Sequence, residues 1–293
     1  MNTLFTDDFP YIESEAELQT LKDQYPEYDS YYIASGSIKE RKEKFDALYE
    51  RYYPYADSHF LTEAKIKFHQ RTWEMYLGVC LLDKDISFSS EDIGPDFLIE
   101  KDGKRIWIEC ISPEKGDTDD RVPDTIYGIV QNVPSDEMLI RIAGALKIKF
   151  EKYKSYVEKG IVKVEDQFVI AVSRGELSHV DAALPLIFRA VFAVGHQTFT
   201  IPRDGQPPQY GWSSIPSIKK KNGSEVPMNF FINPEHDGIS AVIYSKNTVL
   251  NHPDKLGDDL IILLNKIAKN PLSEEVFDSF KIYKCDENGD IHL

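Results

Sequence analysis

The sequence predicts an α/β fold, a central mixed β-sheet flanked by helices and preceded by an N-terminal helical arm. Three observations point there. Residues 94–113, Gly-Pro-Asp-Phe-Leu-Ile-Glu-Lys-Asp-Gly-Lys-Arg-Ile-Trp-Ile-Glu-Cys-Ile-Ser-Pro, read as a β-hairpin. A helical pattern follows over 135–158, with Gly160 just past its end. The run Gln-Phe-Val-Ile-Ala-Val-Ser at 167–173 is apolar throughout, as a strand covered on both faces requires. Hairpin, helix and apolar strand make a β-β-α-β order.

Taken in chain order, residues 1–58 are acidic, then basic, and rich in tyrosine, with helical periodicity strongest over 37–52. They form the predicted arm or cap; residues 59–293 form the α/β domain, with the informative motifs between 62 and 175. A second helix is expected over 62–82, where Ile66, Trp73, Leu77, Cys80 and Leu81 recur near helical spacing. After the hairpin comes an acidic loop, 116–132. Pro134-Ser135 with Asp136 and Glu137 then opens the 135–158 helix. Beyond residue 175 the pattern predicts a helix over 184–194, a short strand over 198–201, a Gly/Pro-punctuated excursion over 204–226, and strands at 230–232 and 239–244. The run 258–269 shows no clear period and reads as helix or strand.

The 293 residues, 42% hydrophobic and 28% charged, suffice for one large domain. Three cysteines, Cys80, Cys110 and Cys285, lack zinc-ligand spacing, and no basic-then-apolar leader opens the chain, so a reducing cytoplasm is the expected compartment. No apolar run reaches the roughly 18 residues that span a bilayer. The net charge of −15 argues against a protein that coats nucleic acid nonspecifically, although basic residues cluster at 39–44, 65–71, 147–154 and 219–221.

The hairpin carries the chemistry. If Asp102-Gly103 forms a two-residue primed turn, paired residues have numbers adding to 205, and Asp96 faces Glu109. Opposed strand residues have Cβ atoms roughly 4.5–5.5 Å apart, and two carboxylates at that range repel unless a cation or proton lies between them. A divalent metal site is expected. Glu74 sits at the margin of the preceding helix's apolar stripe, with Gly78 one turn away to let a sheet approach. In the later helix the stripe Ile142, Leu146, Lys149, Tyr153, Tyr156 is apolar except for Lys149, which needs a charge partner or a route to water. Arg141 and Lys147 lie on the same helix as candidate phosphate-gripping residues. The histidines show no H-E-x-x-H spacing, and Ser173 is not in a nucleophile elbow.

A helical glutamate, then Gly-Pro-Asp, then a hairpin whose second strand carries a central acid, then a helix, resembles the PD-(D/E)xK superfamily of restriction-endonuclease-like nucleases. The resemblance covers about residues 62–175. It implies Asp96, Glu109 and Glu74 as ligands of Mg²⁺ or Mn²⁺, which activates water for attack on a phosphodiester. The family's lysine would stand two residues after Glu109, where Ile111 is found. Lys149, with Lys147 second, is the expected replacement from the following helix. Lys149-Phe-Glu-Lys-Tyr153 is similar to the Q-x-x-x-Y helix of RecB-like nucleases, with lysine in place of glutamine, which adds Tyr153 to Arg141 and Lys147 as substrate-binding candidates.

The expected function is therefore a metal-dependent nuclease, with DNA the more favoured substrate over RNA and a homodimer a natural arrangement. A nuclease-fold protein that binds nucleic acid or a protein without cutting is the first alternative. An acidic interaction protein acting through its tyrosine-rich segment is the second.

Overall fold

A computed structural model describes residues 2–91, 93–126, 128–177, 179, 184–204, 206–246, 248, 250–285 and the backbone of 291–292. Helices α1 (Glu15–Gln24), α2 (Ser30–Ser37), α3 (Lys39–Tyr52), α4 (Phe60–Ala64) and α5 (Phe68–Leu82) precede the hairpin strands β1 (Phe97–Lys101) and β2 (Lys104–Ile111). Then come α6 (Ser135–Glu158), β3 (Gln167–Val172), α7 (Leu186–Phe192), β4 (Val194–Thr200), β5 (Gln209–Ser214), β6 (Ser217–Lys219), β7 (Glu225–Pro227), β8 (Ala241–Ser245), β9 (Leu260–Leu264), β10 (Lys281–Cys285) and β11 (Ile291–His292).

The central sheet has the order β1-β2-β3-β8-β9-β10, extended by the two-residue β11. It is mixed: β2, β3 and β8 run parallel, β1 is antiparallel to β2, and β9 is antiparallel to β8 but parallel to β10. Side-chain alternation divides the core into two clusters, one on each face. Ile106, Ile108 and Cys110 of β2 join the cluster containing α5. Trp107 joins the cluster containing α6 and α7. The parity of β2 therefore turns Glu109 toward the α6 face. Among the described residues, no helix is long and apolar enough to cross a membrane.

Several elements depart from the sequence expectation for identifiable reasons. The 62–82 helix is broken at residues 65–67, because the Lys65 carbonyl accepts from the Asp29 backbone N–H and the Asp29 carboxylate accepts from Phe68 N, capping a new helix start. Residues 230–232 form a turn, with the Phe230 and Phe231 amides donating to the carbonyls of Ala190 and Val191 in α7. The run 258–269 contains strand β9, paired to both β8 and β10, which explains its lack of period. The tyrosine-rich residues 1–58 pack as a cap: Tyr32, Tyr49 and Tyr52 share the apolar cluster of α5 and the strands.

Candidate active site

The turn of the hairpin has both central residues in the left-handed region, Asp102 at φ +53° and Gly103 at φ +75°, as a primed turn needs. Phe97 pairs with Ile108, so the register carries on to place Asp96 across from Glu109. Asp96 is half-buried, and its Oδ2 accepts from the Cys110 backbone N–H at 2.6 Å. Its other oxygen has no hydrogen-bond partner among the described residues. Burial, then the neighbouring Glu109 and Glu74 carboxylates, push the Asp96 carboxyl well above the usual carboxylate range.

Glu109 is completely buried. Its Oε1 accepts from Lys149 Nζ at 2.5 Å and Lys152 Nζ at 2.8 Å. The Tyr156 hydroxyl lies 3.1 Å from Glu109 Oε2 and 2.8 Å from the Gly94 carbonyl, with one proton to share between them. Lys149, Lys152 and Tyr156 stand at i, i+3 and i+7, one face of α6. Burial works against the Lys152 ammonium, but Glu109, Asp96 and Glu74 outweigh it and hold its pKa above the ordinary lysine value.

Glu74, buried on α5, accepts from the Tyr52 hydroxyl and from Arg71 Nη1, each at 2.8 Å. Burial raises the Glu74 pKa, against the pull of Arg71 and Tyr52. Arg71 also binds Asp57 and Glu63. Glu74 and Asp96 line the same cleft of about 300 Å³, together with Arg71, Asp57 and Glu63. Gly78 has a different role from the expected one: a Cβ there would meet the Tyr52 ring at 2.7 Å, so the glycine admits the tyrosine that holds Glu74. Gly78→Ala is thus expected to destabilise. The helix propensity gained is about 1 kcal/mol, whereas overpacking against a fully buried ring costs about 1–3 kcal/mol and loosens the bond to Glu74. Urea unfolding measures the net sign.

The remaining sequence candidates separate. Arg141 is half-buried, and its Nε donates to the Glu114 carbonyl at 2.8 Å. Lys147 is exposed and lines a different cavity, beside Phe230 and His236. Tyr153 does not reach Glu109; it packs on Phe168, with ring centroids 4.8 Å apart, and fills the space where a Cβ on Gly238 would fall. The lysine-tyrosine spacing that meets the acid is instead Lys152-x-x-x-Tyr156, three residues later. Lys152 and Tyr52 were not singled out by the sequence, whereas Arg71, one turn before Glu74 on the same helix, stands at the spacing of an ion pair and forms it. Only Lys152 left a signal, as the second occurrence of that spacing. Ile111 is bracketed by Gln70, whose Nε2 donates to the Cys110 carbonyl at 3.2 Å and whose Oε1 accepts from Ser112 N at 2.9 Å.

Among the described residues, no three His, Cys, Asp or Glu side chains stand close enough to form a metal cage by themselves. The donor chemistry nevertheless fits Mg²⁺, which is commonly held by one or two carboxylates with water and phosphate completing its shell. Asp96 offers an unengaged oxygen whose charge is opposed by its neighbours, and Lys152, about half exposed, can leave Glu109 for water. No family model, curated protein or solved structure matches the chain.

Proposed function

We propose that this chain is a metal-dependent nuclease with a restriction-endonuclease-like core, acting on nucleic acid and on DNA in preference to RNA. One observation carries the reading: Lys149, from the helix after the hairpin, meets Glu109 at 2.5 Å across from Asp96, supplying the cation missing at Ile111. Asp96 and Glu109 would hold Mg²⁺ or Mn²⁺, with Glu74 behind Asp96 in the same cleft. Such an ion, when bound, would polarise the scissile phosphate and lower the pKa of a water. Lys149 would donate a hydrogen bond to the attacking water or a phosphate oxygen. Lys152 would turn toward the charge that develops on that phosphate. Tyr156 orients Glu109, and Tyr52 with Arg71 fixes Glu74.

A specific observation also favours a nuclease-fold protein that binds without cutting. Both Glu109 oxygens face cationic or phenolic partners, and both Glu74 oxygens are engaged by Tyr52 and Arg71. Titration of Mn²⁺ calorimetrically into wild type and Asp96→Ala, beside plasmid and single-strand cleavage assays, separates the two readings. The nuclease reading expects binding lost in the variant, cutting by wild type, and a Lys149→Met rate lower by roughly 10²–10⁴-fold. Binding without cutting would transfer the conclusion to the second reading, and absence of metal binding would sink the paired-acid argument.

A further inference from the structure

A groove of about 470 Å³ lies between the start of α5, the end of β2 and α6, bordered by Ile111 and by the same Lys149 that meets Glu109. His69 lines it, is 5% exposed, and has no hydrogen-bond partner for either ring nitrogen among the described residues. A buried imidazole with both nitrogens unsatisfied is costly unless something fills the space beside it. Burial, then Lys115, holds its pKa down to about 4, so the ring is neutral and offers one donor and one acceptor.

Three cations on the groove, Lys67, Arg141 and Lys220, make no ion pair with any described acid. This is unexpected in a chain of net charge −15. The groove also carries three acids, Asp29, Glu114 and Glu176, none of them in an ion pair with these cations among the described residues. Asp29 accepts from the Tyr31 and Phe68 backbone N–H groups, and Glu176 accepts from Lys115 N. Burial pushes both of these carboxyls up. Ile66, Ile111 and Ile148 supply apolar wall between the charges. A bare anion would leave that wall idle, whereas a nucleotide, with a phosphate and a flat apolar face, uses both, and the volume lies within the roughly 300–1,000 Å³ of ligand pockets.

We infer that this groove seats one nucleotide of the substrate strand next to the Glu109–Lys149 centre, its phosphate between Lys67, Arg141 and Lys220 and its base or sugar against His69. The identity of the strand as substrate rests on the nuclease reading; the nucleotide site does not. The test uses Asp96→Asn protein, fluorescein-labelled dT8, and dTMP and inorganic phosphate as competitors. Adding Lys67→Gln and Lys220→Gln is expected to weaken dT8 binding at least tenfold and to reduce its log–log salt slope by about 1.4, roughly 0.7 per lost phosphate contact. Lys39→Gln with Lys44→Gln, two exposed positions of α3, is expected to leave both unchanged. In wild type, dTMP is expected to shift the His69 imidazole ¹⁵N resonances. Unchanged dT8 affinity in the groove variant, unmoved His69 resonances, or phosphate competing as well as dTMP would each overturn the inference. Cleavage by wild type with unaltered groove-variant binding would fell this site alone, and groove binding without any cleavage would fell the nuclease reading alone.

Discussion

Glu109→Gln is expected to destabilise the protein by about 3 kcal/mol, the low end of the roughly 3–5 kcal/mol seen when one partner of a buried ion pair is removed. The substitution keeps the shape of the side chain but leaves the Lys149 ammonium, 11% exposed, without its counter-charge. Lys152 softens the loss, because at 46% exposure it can return to water. The reverse change should cost less. In Lys149→Met, Glu109 retains Lys152 and Tyr156, so the loss is about that of one charged hydrogen bond, roughly 1.5–3 kcal/mol. The two single variants and the double variant form a cycle whose coupling reports the pair itself. Chemical denaturation of all four proteins gives the values, and equal costs for the two singles would show that Lys152 and Tyr156 do not compensate Glu109 for the loss of Lys149.

Asp96→Asn is expected to stabilise the metal-free protein while abolishing its response to metal. In the native state, burial and the Glu109 and Glu74 carboxylates raise the Asp96 pKa above the about 3.9 of an unfolded aspartate. A raised folded-state pKa contributes stability that is fully present below about pH 3.9 and is lost as pH rises through the folded value. At neutral pH the ionised carboxylate therefore opposes folding, and the neutral amide does not. In a chelating buffer, melting temperatures of wild type and variant should agree near pH 4 and diverge with rising pH, to a gain for the variant on the order of 1 kcal/mol, or about 2 °C. Added Mn²⁺ should raise wild type alone, since a ligand bound only by the native state stabilises it. A variant less stable than wild type at pH 7 without metal would mean that Asp96 serves as an ordinary capping residue through its bond to Cys110 N.

Local signals account for what the residues alone made legible. The hairpin register follows from Asp102-Gly103 and strict alternation, both properties of adjacent residues. The end of α6 was marked by Gly160, whose φ of +70° suits a residue without a side chain. Lys149 stood out because a lysine on an apolar stripe requires a partner. The break in the 62–82 helix was invisible, because the group that ends it, Asp29, comes from a different helix. The resemblance to the Q-x-x-x-Y helix points to Tyr153, but Tyr156 occupies the same stripe, and only the position of α6 over β2 and β3 decides which one meets the acid.

By itself the sequence determined the mixed α/β order, the pairing of Asp96 with Glu109, and the need for a cation near them, since turn chemistry, side-chain alternation and the cost of a buried charge act over a few residues. Tertiary structure decided which cations answer that need, that Tyr52 reaches Glu74, and that His69 lines a groove with no hydrogen bond to its ring nitrogens among the described residues. Those outcomes depend on how helices far apart in the chain settle on the two faces of one sheet, and no local spacing encodes that docking.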